Sequence, residues 1–129
     1  MGRSLGESFA RALAVKDFDQ IASLLHPDVD FRGMTPGSFW QPENAKHAID
    51  DAIRSWFEDS DHIDELLRVE TGRVGKRERV GYLLAVTNPD GKYLVEQQAY
   101  YETQDGVITW MRVLCSGYQP VPPAGGGAA

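Results

Sequence analysis

The spacing of apolar residues changes period about halfway along the chain, from that of helices to that of strands. In the first half, Leu5, Phe9, Ala12 and Leu13 fall on one helical face, and Ser4-Leu5-Gly6-Glu7 has the spacing of a capping box. Asp17-Phe18-Asp19-Gln20 repeats that signature and opens a short second helix carrying Phe18, Ile21, Leu24 and Leu25. His26-Pro27 ends it, because the residue before a proline is pushed out of the α region. Val29-Asp30-Phe31 alternates as a short strand, and residues 33–42, with two prolines, two glycines and the bulky Phe39-Trp40, read as a loop. Residues 43–58 make the clearest helix. Ala45, Ala48, Ile49, Ala52, Ile53, Trp56 and Phe57 form a wide apolar stripe, and Lys46–Asp50 and Arg54–Glu58 are spaced to pair on its wet side.

Alternation with period two takes over after residue 62. Strands are predicted over 63–73 and 79–87, flanking Val74-Gly75-Lys76; Asn88-Pro89-Asp90-Gly91 then turns the chain into a strand over 92–103. Gln104-Asp105-Gly106 turns it again into Val107 to Cys115, a strong hairpin signal because glycine accepts the positive φ of the turn. Parity then divides the hairpin into two faces. Gln97, Ala99, Tyr101 and Thr103 share one face of the outgoing strand with Thr109, Met111, Val113 and Cys115 of the return. Shifting that parity by one residue would bury Glu96 and Glu102 and expose Val95 and Val113. The inward set contains no Asp, Glu, His, Lys or Arg, so a pocket lined by it lacks the groups most used for acid–base work. The element order predicts an α+β domain: three N-terminal helices packed on a strongly curved, mostly antiparallel sheet forming a cone.

At 129 residues the chain is expected to be one domain over 1–118, followed by a flexible Pro/Gly/Ala tail over 119–129. A net charge of −6 argues against nucleic acid or an anionic membrane as partner, since both want clustered Lys and Arg. The one basic cluster, 73–79, is broken by Val74, Gly75 and Glu78. A single cysteine, with no apolar leader and no membrane-length run, makes a reducing cytoplasm the expected compartment. His62-Ile63-Asp64 places two metal-ligand types on one strand face without a third, and Cys115 has no histidine near it in sequence; neither is expected to be a metal or nucleophile site. No cofactor is implied.

The element order, with His26-Pro27-Asp28-Val29 after the second helix and a terminal Asp-Gly hairpin, resembles the nuclear transport factor two-like superfamily. Within it the chain is most similar to the polyketide-cyclase-like, or SnoaL-like, proteins, over roughly residues 4 to 118. The resemblance implies a cystatin-like α+β barrel whose open end holds a mostly apolar ligand pocket. In the related ketosteroid isomerases a tyrosine, an aspartate base and a protonated aspartate do the chemistry; the matching positions here hold Phe9, Gly33 and Ala99. The polar groups of limonene-type epoxide hydrolases would fall on Phe31, Gly33, Gln97, Ala99 and Val113, and the cyclase aspartate again on Ala99. Ketosteroid isomerase and epoxide hydrolase activities are therefore not expected. The implied pocket is floored by Phe31, Gln97, Ala99, Tyr101, Met111, Val113 and Cys115 and walled by Phe9, Leu13, Trp56 and Trp40. Two readings stay open. One is a domain binding, or acting on, a hydrophobic small molecule, with Gln97 and Tyr101 orienting it. The other is a non-catalytic dimerisation or accessory module whose cone is filled by its own side chains. In either case the opposite hairpin face, with Leu94, Glu96, Gln98, Tyr100, Trp110, Arg112 and Leu114, has the composition of a homodimer interface.

Overall fold

Local capping sets the first helices. The Ser4 hydroxyl oxygen accepts from the Glu7 N–H at 3.1 Å and opens α1 (Leu5–Ala14); Asp17 accepts from the Gln20 N–H at 3.0 Å and opens α2 (Phe18–Leu24). The computed structural model describes residues 4–122. Between the two helices Lys16 takes a positive φ of 55°, and its ammonium donates to the carbonyls of Glu58 and Asp61 at 2.6 and 2.5 Å. The turn is thereby tied to the segment that leads into the sheet.

The third helical segment is capped by Asn44, which accepts from the His47 N–H at 2.9 Å. It runs as α3 (Ala45–His47), a π-helical stretch (Ala48–Ile53) and α4 (Arg54–Trp56). All seven residues of the expected stripe are buried. The segment stops before Glu58, so the expected Arg54–Glu58 pair does not form; Arg54 instead pairs with Asp50 at 3.4 Å and lies 4.2 Å over the Phe18 ring.

The strands are β1 (Leu25–Thr35), β2 (Ser38–Trp40), β3 (His62–Val74), β4 (Arg77–Asn88), β5 (Gly91–Gln104), β6 (Val107–Cys115) and β7 (Gln119–Pro120). They make one sheet in the order β2-β1-β6-β5-β4-β3, with β7 beside β5. Every pairing is antiparallel except β1 with β6. Three expectations are corrected. The first strand is far longer than Val29–Phe31, with a register shift between Leu25 and Asp30 around Pro27, which has no N–H to give. The expected loop 33–42 contains β2, folded back on β1 through a turn at Gly37, whose φ is +78°. Gln119 and Pro120, expected to be unpacked, pair with Leu94 and Tyr93; residues 123–129 of the tail lie outside the described residues.

The parity of the last hairpin holds from Val95 to Tyr101 and from Met111 to Cys115, where alternate residues are buried and their neighbours are not. It fails at Thr103 and Thr109. A bulge leaves Thr109 unopposed, since Glu102 faces Trp110 and Thr103 faces Ile108, so Ile108 enters the core in its place.

Helix and sheet meet where a side chain is missing. A Cβ added to Gly33 would stand 2.6 Å from Trp56 Cζ2, and one added to Gly6 would stand 2.7 Å from the Tyr101 ring. Gly33→Ala is therefore expected to destabilise the protein by about 1–3 kcal/mol through displaced packing, read as a lower urea midpoint at unchanged m-value.

Candidate functional site

Strand register places the inward side chains of β4, β5, β6 and β1 in three rows. Tyr101, Met111 and Phe31 form one, Val80, Ala99, Val113 and Gly33 the next, and Tyr82, Gln97 and Cys115 the third. The middle row is short and its neighbours are long, so the floor is lowest over Ala99, Val113 and Gly33. Trp56 covers the Gly33 end; its ring centroid lies 6.0 Å from that of Phe31 and 6.3 Å from that of Trp40. Tyr118 fixes the end of α4 by donating its hydroxyl to the Trp56 carbonyl at 2.8 Å.

The sequence-derived residues are thus brought to one interior, in two groups. Phe31, Trp40 and Trp56 cluster at the β1–β2 side; Phe9 comes from α1, which packs on β3 and β4 near Tyr101. All nine are buried except Trp40, which is half-buried and donates its indole N–H to the Thr35 hydroxyl at 2.9 Å. Gln97 and Tyr101 do not satisfy one another. Tyr101 accepts from the Gly6 N–H at 2.9 Å, which ties β5 to the first turn of α1. Gln97 is 0% exposed, and its carbonyl oxygen accepts from the Tyr82 hydroxyl at 2.5 Å.

That bond fixes the amide and leaves its other end unmatched. Gln97 Nε2 is buried without a hydrogen-bond partner, and so is Trp56 Nε1. Burial, with Cys115 nearby, pushes the Tyr82 hydroxyl far above the ordinary tyrosine range, so it keeps its proton and stays a donor. Sequence reasoning missed Tyr82. The alternation Val80, Tyr82, Leu84, Val86 already put it on the inward face, but only the β4–β5 register shows that it stands opposite Gln97.

Other candidates contribute less. Among the described residues no group of three His, Cys, Asp or Glu side chains could hold a metal ion. His62 and Asp64 stand 3.5 Å apart in the open, and Asp64 is engaged by the Thr87 hydroxyl. Cys115, 7% exposed, accepts from the Gly117 N–H at 3.4 Å and packs as a small apolar side chain. A surface cleft of about 570 Å³ between α2, β1 and α3 carries Lys46, Asp50 and Arg54, which pair with one another. No helix among the described residues is long and apolar enough to cross a membrane.

No protein-family model and no curated protein matches the sequence. Solved structures do match in shape. A provisionally assigned isomerase from Bacillus subtilis superposes with a TM-score of 0.72 at 15% identity, over 87% of this chain and 84% of that one. A provisionally assigned polyketide cyclase from Xanthomonas campestris gives 0.66 at 19%, over 85% and 86%. An LEH-like epoxide hydrolase from M. tuberculosis gives 0.60 at 19%, over 87% and 80%. The chain has the nuclear transport factor two-like fold.

Within this fold the structure puts Phe9, Gly33 and Ala99, the positions matched to isomerase chemistry, in the buried interior, where none presents a group that exchanges a proton. The polar equipment of the three rows is the Tyr82–Gln97 pair and the Tyr101 hydroxyl, with the Trp56 indole beside Gly33; buried Asp61 accepts from the Glu58 N–H and the Asn88 amide, each at 3.0 Å. Tyr82→Phe leaves the Gln97 carbonyl unmatched as well and should cost about 1–3 kcal/mol. The double change Tyr82→Phe/Gln97→Leu removes both partners and should return to within about 1 kcal/mol of wild type or exceed it. Urea unfolding of the three proteins checks both.

Proposed function

We propose that this chain is a small-molecule-binding domain of the SnoaL-like type, whose apolar interior receives a hydrophobic metabolite. One observation carries the reading: Gln97 Nε2 is a buried donor with no partner, set among mostly apolar side chains. A core filled only by its own side chains has no use for such a group, which costs stability whenever it stays unmatched. The comparisons support the reading at the level of fold, since isomerase, cyclase and epoxide hydrolase names occur among the similar structures. Any reaction here proceeds by positioning and shape, because none of the buried side chains of the three rows is a carboxylate, imidazole or amine.

The test is to raise the floor. Ala99→Leu is expected to leave stability within about 1 kcal/mol of wild type, because its side chain extends over the low row. It should also abolish saturable binding of Nile red, a neutral apolar probe followed by its emission. A loss of several kcal/mol, with no Nile red binding by wild type, would mean that the interior is filled by the protein itself.

Assembly is a second part of the proposal: a homodimer through the outer sheet face. Met34, Phe39 and Leu114 are 54%, 58% and 56% exposed around a hollow of about 280 Å³ that also takes in Tyr100, Gln98 and Arg32. Arg32 Nε is buried there without a partner, opposite Arg112, which is committed to Asp30 at 3.1 Å. An apolar patch beside an unpaired guanidinium suits a protein surface that returns a carboxylate. Trp110 is less available as an anchor, lying between Arg77 and Arg112 with centroid distances of 3.9 and 4.3 Å. Leu114→Glu should shift the sedimentation coefficient from dimer to monomer. Wild type that sediments as a monomer at tens of micromolar, roughly the range of a modest interface, would remove the dimer.

A further inference from the structure

The arginines of the outer sheet face are unevenly matched. Strand register sets Arg32, Arg112, Tyr100 and Arg79 in one row across β1, β6, β5 and β4. Arg112 is neutralised by Asp30 at 3.1 Å and stacks over Trp110. Arg79 donates to the Gln98 amide oxygen at 2.9 Å, and Gln98 donates in turn to Glu96 at 2.9 Å. Arg32 forms no hydrogen bond or ion pair among the described residues, and its Nε is buried. The parallel pairing of β1 with β6 holds it directly beside Arg112, so a like charge adds to the cost of leaving it unmatched. Arg32 also lines the hollow of about 280 Å³, together with exposed Met34, Phe39 and Leu114 and the half-buried Tyr100.

We propose that this hollow binds a small monocarboxylate with a flat apolar body, in competition with a second copy of the chain. The binding stands on the hollow itself; only the competition rests on the homodimer reading above. A carboxylate matches the planar fork of a guanidinium, and the apolar and aromatic side chains receive the body. One uncommitted guanidinium sets the charge at one. A phosphate dianion would bring a second charge with no partner, since Arg112 is committed to Asp30. A neutral ligand would leave the Arg32 charge unmatched. Carboxylates of a second copy's outer face serve less well. Asp30, Glu70, Glu96 and Glu102 each already meet an arginine of their own chain. A second copy returns one of them only by breaking a pair, whereas a free carboxylate gives up water alone.

Two probes of nearly one shape read the site: 2-naphthoate and its neutral amide, 2-naphthamide, titrated into the full chain and followed by backbone ¹H–¹⁵N signals. The naphthoate should move Arg32, Met34 and Leu114 and leave Tyr82 and Ala99 of the interior in place. It should bind about tenfold or more tighter than the amide, the value of a charge-assisted hydrogen bond in a half-buried site. Arg32→Gln breaks no existing pair and should keep the wild-type urea midpoint, while bringing the two probes to within about twofold of each other. In sedimentation, saturating naphthoate should carry the wild-type dimer toward monomer and leave the Arg32→Gln dimer as it is. Equal binding of the probes by wild type, or undiminished naphthoate binding by Arg32→Gln, overturns the site. So do shifts confined to Tyr82 and Ala99, and an absence of naphthoate binding at about 1 mM. A dimer that persists with the hollow saturated overturns the competition and leaves the site standing. Wild type that is monomeric without naphthoate removes the homodimer and the competition together, and the titration then decides the site.

Discussion

The indole of Trp56 rests on the one inward position of β1 that has no side chain, and the rest of the domain is arranged around that contact. Gly33 lets the ring approach to a distance at which no other residue type would leave room. β1 in turn is held by its parallel pairing with β6, which sets Gly33 beside Val113. On the helical side Trp56 is fixed through its own carbonyl by Tyr118, in the segment between β6 and β7. Helix, parallel strand and C-terminal segment therefore meet at one ring. A displacement of Trp56 would be felt at Phe31 and Trp40, which touch it, and along the row that forms the lowest part of the floor.

This also explains which parts of the molecule could be read from the chain. β6 is bounded as expected because its turn is chemically explicit: Asp105 and Gly106 both take positive φ, and the flanking runs alternate. The buried stripe of the third helical segment was equally legible. Its π-helical middle was not, because the wider turn buries the same residues that an α-helix would. β2 was hidden for another reason. Three residues carry no period, and what holds them is tertiary: a ladder to Gly33, Met34 and Thr35, and the ring of Trp40 against Trp56. The bulge at Thr109 belongs to the same class, since alternation is blind to which residue a ladder leaves out.

The site was half legible on similar grounds. Parity placed Gln97, Tyr101 and Cys115 inward, because shifting it would have buried Glu96 and Glu102. What parity could not supply is partnership. Tyr101 turns to the backbone of α1 and Gln97 to a strand neighbour, and both facts depend on register between elements far apart in sequence. Several charged residues pair on the other side of these strands. Arg77 meets Glu102, Arg112 meets Asp30, and Arg68 lies between Glu70 and Glu96. Such exposed pairs contribute roughly 0–1 kcal/mol each, so their larger effect is to keep the strands from slipping by one residue.

The neutrality of the buried side chains in the three inward rows has a specific consequence for evolution of function on this fold. Acid–base catalysis could be added only by installing a carboxylate or imidazole where Phe9, Gly33 or Ala99 now stands. At Gly33 the space is already taken by Trp56, so the side chain would have to displace the contact on which the fold depends. Ala99 is the cheaper position: its neighbours across the strands are Val80 and Val113, and the row is short. Gln97, one inward position away on β5, already supplies a fixed donor to the same space. What separates this interior from one with acid–base groups is thus a side chain on the short row, one inward position from the buried Gln97 amide.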